Sequence, residues 1–186
     1  KRFLKKARVY LGFPDLFNYW LTGLKRTEYT HATTTQCFNP LKRAWDDDIL
    51  DAIGLSIDLF PELVQPGAIL GTMKNMNVSV PACHDTGSAI VAVPTTDHDF
   101  VYLSSGTWSL MGTEIRKPII NDKVYELNFT NEGGVEKTTR LLKNLPGLWF
   151  EQELMREWSG KGSPTTHDDI EKLAAEARPF RSLIDP

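Results

Sequence analysis

Two short stretches constrain what this chain can fold into: HDTGSAIVAVP at residues 84–94 and SSGTWSLMG at residues 104–112. The first places an acidic residue, Asp85, at the mouth of a run of small and apolar side chains. Such a run suits a helix packed closely against a sheet, and Pro94, Thr95 and Thr96 break it. The second stretch joins two β-rich runs, FVYLSS and TWSLMGTEI, through Ser105 and Gly106. It predicts an antiparallel hairpin whose glycine supplies the positive φ of a tight turn. Together they point to an α/β fold in which a carboxylate and a hydroxyl-rich bend face each other across a cleft.

The rest of the chain is patterned in the same way. Pro14 opens a helix over residues 14–22 with Leu16, Tyr19 and Trp20 on one face and Gly23 as its terminator, a short buried helix. Asp46, Asp47 and Asp48 precede ILDAIG, where acidic groups suit the positive end of a helix dipole better than a divalent cation site. Residues 67–73 and 78–83 read as strands separated by a polar loop, and a domain boundary is placed near residue 97. Beyond it NFTNEGG reads as a loop, TTRLLK as a third strand, and Pro146 as the start of a helix to about Trp158 with Leu148, Phe150, Leu154 and Met155 apolar. Thr166 caps a last helix in which Ile170, Leu173, Ala174 and Ala177 recur at helical spacing. Strand, strand, strand, helix is how a ribonuclease-H-like, actin-type domain begins.

Composition excludes several classes. Of 186 residues, 41% are hydrophobic and 24% charged, ordinary for a globular protein. The 21 Lys and Arg against 24 Asp and Glu leave a net charge of −3. No overall positive field draws nucleic acid or an anionic membrane, and the cluster Lys1, Arg2, Lys5, Lys6 and Arg8 reads as the solvated face of one short helix. Cys37 and Cys83 are far apart and in no metal-ligand spacing, which argues against a disulfide framework or structural zinc and for a reducing, cytoplasmic setting. No run approaches the roughly 20 apolar residues of a membrane span. The chain begins at Lys1 without Met and closes on Asp-Pro after Leu183 and Ile184, and so reads as part of a longer polypeptide.

Asp85 is the first chemical candidate. A carboxylate at a helix start serves as an N-cap, or, kept ionised by the helix dipole, accepts a proton from an attacking hydroxyl; the two roles are compatible. His84 is either a core histidine or a hydroxyl partner, and Thr86 a cap. In the 104–109 bend, hydroxyls and backbone N–H groups make an anion-binding concavity suited to a phosphoryl group, with Thr107 as the contact and Trp108 in the core. Asn144, read as preceding a helix, and Gln152 stand eight residues apart, roughly 12 Å along a helix axis.

The blocks DLFNYWLTG, EYTHATTTQ, the PG of VQPGAILG, HDTGSAIVAVP, SSGTWSLMGTE, NFTNEGG and TTRLLKNLPGLWFEQE resemble the FGGY family of carbohydrate kinases over most of residues 13–158. A weaker likeness continues through PFRSLIDP. The resemblance implies an actin-like ATPase fold of two lobes around a cleft, with only a partial segment of each lobe here. Residues 1–97 would be the C-terminal part of the sugar-binding domain and residues 98–186 the N-terminal part of the nucleotide-binding domain. It implies Asp85 as general base, with His84, Asp85, Thr86 and Asn144 on the sugar. Ser105, Gly106 and Thr107 would meet the phosphates of ATP, and Gln152 would lie on the nucleotide side.

The implied reaction is transfer of the γ-phosphoryl group of ATP to the 1-hydroxyl of L-rhamnulose, with Mg²⁺ carried by the ATP on unidentified metal ligands. The partners are then a small sugar and ATP, with no nucleic acid and no membrane. The family's opening acidic, Gly-rich strand and its closing Gly-rich adenosine loop do not occur in this sequence, so the segment alone is expected to be inactive or very poorly active. A kinase for fuculose, xylulose or a signalling ketose, and a non-catalytic sugar-binding regulatory module, are the alternatives.

Overall fold

In the computed structural model, residues 4–97, 99–163 and 165–183 are described. Lys1, Arg2 and residues 184–186 of the expectations above lie outside them. Of the basic segment, the described residues Leu4–Lys6 form a 3₁₀ turn. Downstream, Tyr10 is claimed by the core: its N–H donates to Leu59 O at 2.6 Å and its ring packs on Trp45 and Phe60.

Helix α1 (Phe13–Thr22) has Pro14 in its first turn and Gly23 at φ 73° closing it, as the sequence requires. It is not a buried helix, because Phe13, Phe17 and Trp20 are exposed. An amphipathic pattern specifies a face that can be covered, not what covers it. Strand β1 (Thr27–Glu28) leads into α2 (Tyr29–Ala32), β2 (Phe38–Asn39) and β3 (Ala44–Trp45). Helix α3 (Asp47–Ala52) follows, capped by Asp46, whose Oδ1 accepts from Ile49 N at 3.1 Å. The three aspartates thus serve a helix start, as expected. Strand β4 (Leu63–Val64) pairs in parallel with β1.

Strands β5 (Ile69–Met73) and β6 (Met76–Ser79) form a hairpin tighter than the sequence suggests. Lys74 and Asn75 both take positive φ, 48° and 65°, the geometry of a two-residue turn, so Met76 and Asn77 enter the strand expected to start at Val78. Helix α4 (Asp85–Val91) then carries the acidic motif. A sheet in the order β7-β8-β10-β9 comes from β7 (Val101–Ser105), β8 (Ser109–Ile115), β9 (Phe129–Gly133) and β10 (Thr139–Leu145), with α5 (Asp122–Glu126) before β9. The NFTNEGG stretch is therefore mostly a strand and not a loop. Its antiparallel partner β10 satisfies its backbone, setting Glu132 opposite Arg140. Helices α6 (Trp149–Gly160) and α7 (His167–Glu176) complete the chain. Thr166 caps α7 through Asp169 as anticipated, but Leu173, Ala174 and Ala177 of its apolar stripe are exposed.

The chain divides into two compact units, residues 1–102 with 112–143 and residues 103–111 with 144–186. In the first, Ala32, Trp45 and Leu50 form a core with Tyr10, Cys37, Leu55, Phe60 and Leu63 packed on it. Trp45 Nε1 donates to Pro61 O at 2.8 Å, which keeps the buried indole hydrogen-bonded. In the second, α6 and α7 are joined by His167 Nδ1 and Glu151 Oε1 at 2.7 Å.

Candidate active site

The motif at 84–86 sits on a scaffold of buried polar groups. Glu28 is fully buried, and its carboxylate accepts from Thr30 N at 2.8 Å, Thr30 Oγ1 at 2.6 Å, His31 N at 3.0 Å and Cys83 N at 3.0 Å. Thr30 Oγ1 in turn accepts from His84 N at 3.1 Å. The backbone entering α4 is thereby pinned on both sides of Cys83. Burial, with Glu28 and Asp15 nearby, raises the Cys83 thiol to about 12, so it is no nucleophile at neutral pH.

His84, not Asp85, occupies the cap position of α4, and Asp85 is its first residue. Asp85 Oδ1 accepts from Thr86 N at 2.6 Å and lies 3.4 Å from Thr86 Oγ1. Among the described residues Oδ2 makes no hydrogen bond, and the side chain is 95% exposed. One oxygen orients the carboxylate while the other stays free to take a proton. Thr86 itself is buried and serves that orientation.

Against His84 lies a group that the sequence reading passed over. Arg140, on β10, is fully buried, and its Nη2 lies 3.0 Å from Glu132 Oε2 and 3.2 Å from His84 Nδ1. Arg140 Nε donates to Gly133 O at 3.0 Å, and Gly133 N donates to Thr33 Oγ1 at 2.8 Å. Arg140 Nη1 and the Tyr102 hydroxyl are buried without a hydrogen-bond partner among the described residues. Burial raises the Tyr102 phenol to about 12. The signal in the sequence was an arginine directly before the apolar pair Leu141 and Leu142 in a β-rich run. A charge facing inward from a strand needs a partner, and Glu132 of NEGG supplies it.

The second unit holds Ser105, Gly106, Thr107, Asn144 and Gln152. Gly106 does not take positive φ, contrary to expectation; its N–H donates to Trp108 O at 3.0 Å and closes the bend. Gly106 O accepts from Leu148 N at 2.9 Å and Thr107 O from Trp149 N at 3.1 Å, tying the bend to the start of α6. Thr107 is exposed and Trp108 is 60% exposed, so Trp108 is no core residue. The backbone hydrogen bonds already close the bend, which leaves the indole no interior to fill.

Asn144 lies within β10 and cannot cap a helix, since Pro146 and Gly147 intervene before α6; the 12 Å helical spacing to Gln152 therefore does not apply. Gln152 is exposed in the first turns of α6. Gly147 has no room for a side chain: a Cβ there would collide with Ser109 Oγ and stand 2.6 Å from Gly106 O. Gly147→Ala is expected to cost the second unit about 1–3 kcal/mol by overpacking, read as a lowered urea midpoint. An unshifted midpoint would show that the bend moves freely from α6.

The sequence matches the N-terminal domain of the FGGY family of carbohydrate kinases over residues 1–92 and the C-terminal domain of that family over residues 101–186. This chain belongs to the FGGY family of carbohydrate kinases. It is 47% identical to a rhamnulokinase of Halalkalibacterium halodurans, with 97% of this chain and 40% of that one covered. A rhamnulokinase of Bacteroides thetaiotaomicron is 42% identical, with 98% and 39% covered. The chain thus spans about 40% of the length of the curated relatives it matches.

Among solved structures, xylulose kinase of Lactobacillus acidophilus superposes with a TM-score of 0.71 at 20% identity, covering 92% of this chain and 36% of that one. Gluconate kinase of the same organism gives 0.73 at 18% identity, covering 92% and 36%. The fold is the α/β, ribonuclease-H-like fold of actin-like ATPases, present as a segment of it. No helix among the described residues is long and apolar enough to cross a membrane.

Proposed function

We propose that this chain is the central part of a rhamnulokinase, which transfers the γ-phosphoryl group of ATP to the 1-hydroxyl of L-rhamnulose. The likeness to named rhamnulokinases, 39–47% identical across nearly the whole chain in the first three, carries the reading. In it residues 1–97 belong to the sugar-binding domain and residues 98–186 to the nucleotide-binding domain. A small sugar and ATP are the partners, and a donor abundant in the cytoplasm makes that the compartment.

Asp85 is the general base. Its free Oδ2 takes the proton of the 1-hydroxyl as that oxygen bonds to phosphorus, while the bond from phosphorus to the bridging oxygen of the departing ADP breaks. His84, Thr86 and Asn144 hold the sugar. Ser105, Gly106 and Thr107 hold phosphate, with Gln152 on the nucleotide side. The bend suits an anion: SSGTWS carries hydroxyls and no carboxylate. Bound there, ATP supplies the phosphoryl group. Mg²⁺ would travel with the ATP and neutralise its phosphates.

ADP release by the intact enzyme, measured with L-rhamnulose, L-fuculose and D-xylulose, tests the assignment. L-Rhamnulose is expected to give a kcat/KM at least about tenfold above the others, since a site built to bond particular hydroxyls rejects analogues that leave its polar groups unpaired. A better ketose would change the substrate, and tight sugar binding with no ADP would leave a binding module.

A further inference from the structure

The contact between His84 and Arg140 decides which nitrogen of the ring carries the proton. A guanidinium has five N–H donors, no acceptor, and does not deprotonate in proteins. At 3.2 Å from Arg140 Nη2, His84 Nδ1 can only be the acceptor, so a proton on Nδ1 would set two donors head to head. The single proton of the neutral ring therefore resides on Nε2. Glu132 Oε2 does not compete for Nδ1: it stands 3.8 Å away and receives Arg140 Nη2 at 3.0 Å. Nε2 lies 3.7 Å from Asp85 Oδ1, beyond hydrogen-bond reach, and so its proton is not spent on that carboxylate.

We infer that Arg140, held by Glu132, is a positioning residue that keeps His84 a neutral imidazole protonated on Nε2, so that a hydrogen-bond donor stands beside the carboxylate of Asp85 and not a second base. Resting on the kinase reading above, this gives the pair a division of labour. Asp85 accepts the proton of the attacking hydroxyl, and His84 donates to the oxygen on the neighbouring carbon. The acceptor class is then a sugar with oxygens on two adjacent carbons, one a donor and the other an acceptor. Among the described residues, the charged and titratable groups acting on the ring are Arg140 on β10, Glu132 on β9, Asp85 on α4 and His31 on α2. Burial first, then Arg140 and His31, hold the imidazole below its ordinary value, outweighing Glu132 and Asp85.

Nitrogen-15 NMR of the histidine-labelled chain, without sugar or nucleotide, reads the ring directly, and a His84→Gln variant identifies its signals. The expected result is an unprotonated Nδ1 and a protonated Nε2 at neutral pH, with the ring still neutral where an ordinary histidine is half protonated. A proton on Nδ1, or a cationic ring at neutral pH, would overturn the inference.

Replacing both charges, Arg140→Met with Glu132→Gln, avoids leaving either one buried and alone. It should let both tautomers appear and move the titration upward; an unchanged ring would remove Arg140 from the role. Glu132→Gln alone keeps the donor, so the tautomer should persist and the titration move further down, and an upward move would contradict the scheme. These measurements need no phosphoryl transfer. If the ring behaves as stated while every ketose fails, the reaction class falls and the positioning pair stands.

Discussion

Asp85→Asn in the intact enzyme is expected to lower kcat by about 10²–10⁴-fold while leaving sugar affinity within a few-fold. The amide matches the carboxylate in size, and its oxygen can still accept from Thr86 N, which Asp85 Oδ1 now meets at 2.6 Å. The orientation of the side chain and the start of α4 are thus preserved. What disappears is proton acceptance at the oxygen that projects into solvent from a side chain 95% exposed. A loss confined to KM would describe a binding contact, and unchanged turnover would reduce Asp85 to an anchor for Thr86. Neither result would disturb the neighbouring ring, whose tautomer is set by Arg140 from the other side.

The elements that could be read from sequence are those whose signals are local. Gly23 past α1, Asp46 before α3, Thr166 before α7 and the small-residue run of α4 each satisfy a backbone need within a few residues, and each stands where expected. The failures share a different origin. NFTNEGG is polar and glycine-containing, so it reads as a loop. Only pairing with β10, which no local pattern announces, makes it a strand and brings Glu132 onto Arg140. Trp108 and the Trp20 of α1 are expected in the interior from hydrophobicity alone, and both are exposed.

The site divides along the same line. Asp85 and His84 are proposed because the HDTGSA block resembles the family's; a carboxylate at a helix mouth alone is most often only a cap. Arg140 and Glu28 could not be picked out, because their importance lies in what they touch 56 and 55 residues away. Buried charge is visible in a sequence only as an oddity. Its meaning comes from the partners the fold delivers.

Glu28 shows how far such a partner set reaches. Glu28→Ala is expected to destabilise the first unit by about 4 kcal/mol or more, because it orphans the N–H groups of Thr30, His31 and Cys83 together with the Thr30 hydroxyl. Glu28→Gln should cost roughly half as much: its carbonyl oxygen can keep one set of donors, but its NH₂ turns a donor toward the others. Urea denaturation gives both numbers, and equal losses would mean that the acceptor count is not what matters. Because Thr30 Oγ1 carries the backbone of His84, the Gln variant should also loosen the turn at Asp85 while the core around Trp45 and Leu50 stays folded. That loosening would appear as a lowered kcat in the intact enzyme with the far-ultraviolet spectrum unchanged. Full turnover in a Gln variant that has lost stability would separate the scaffold from the chemistry, and the pinning of residues 83 and 84 would then be a matter of folding alone.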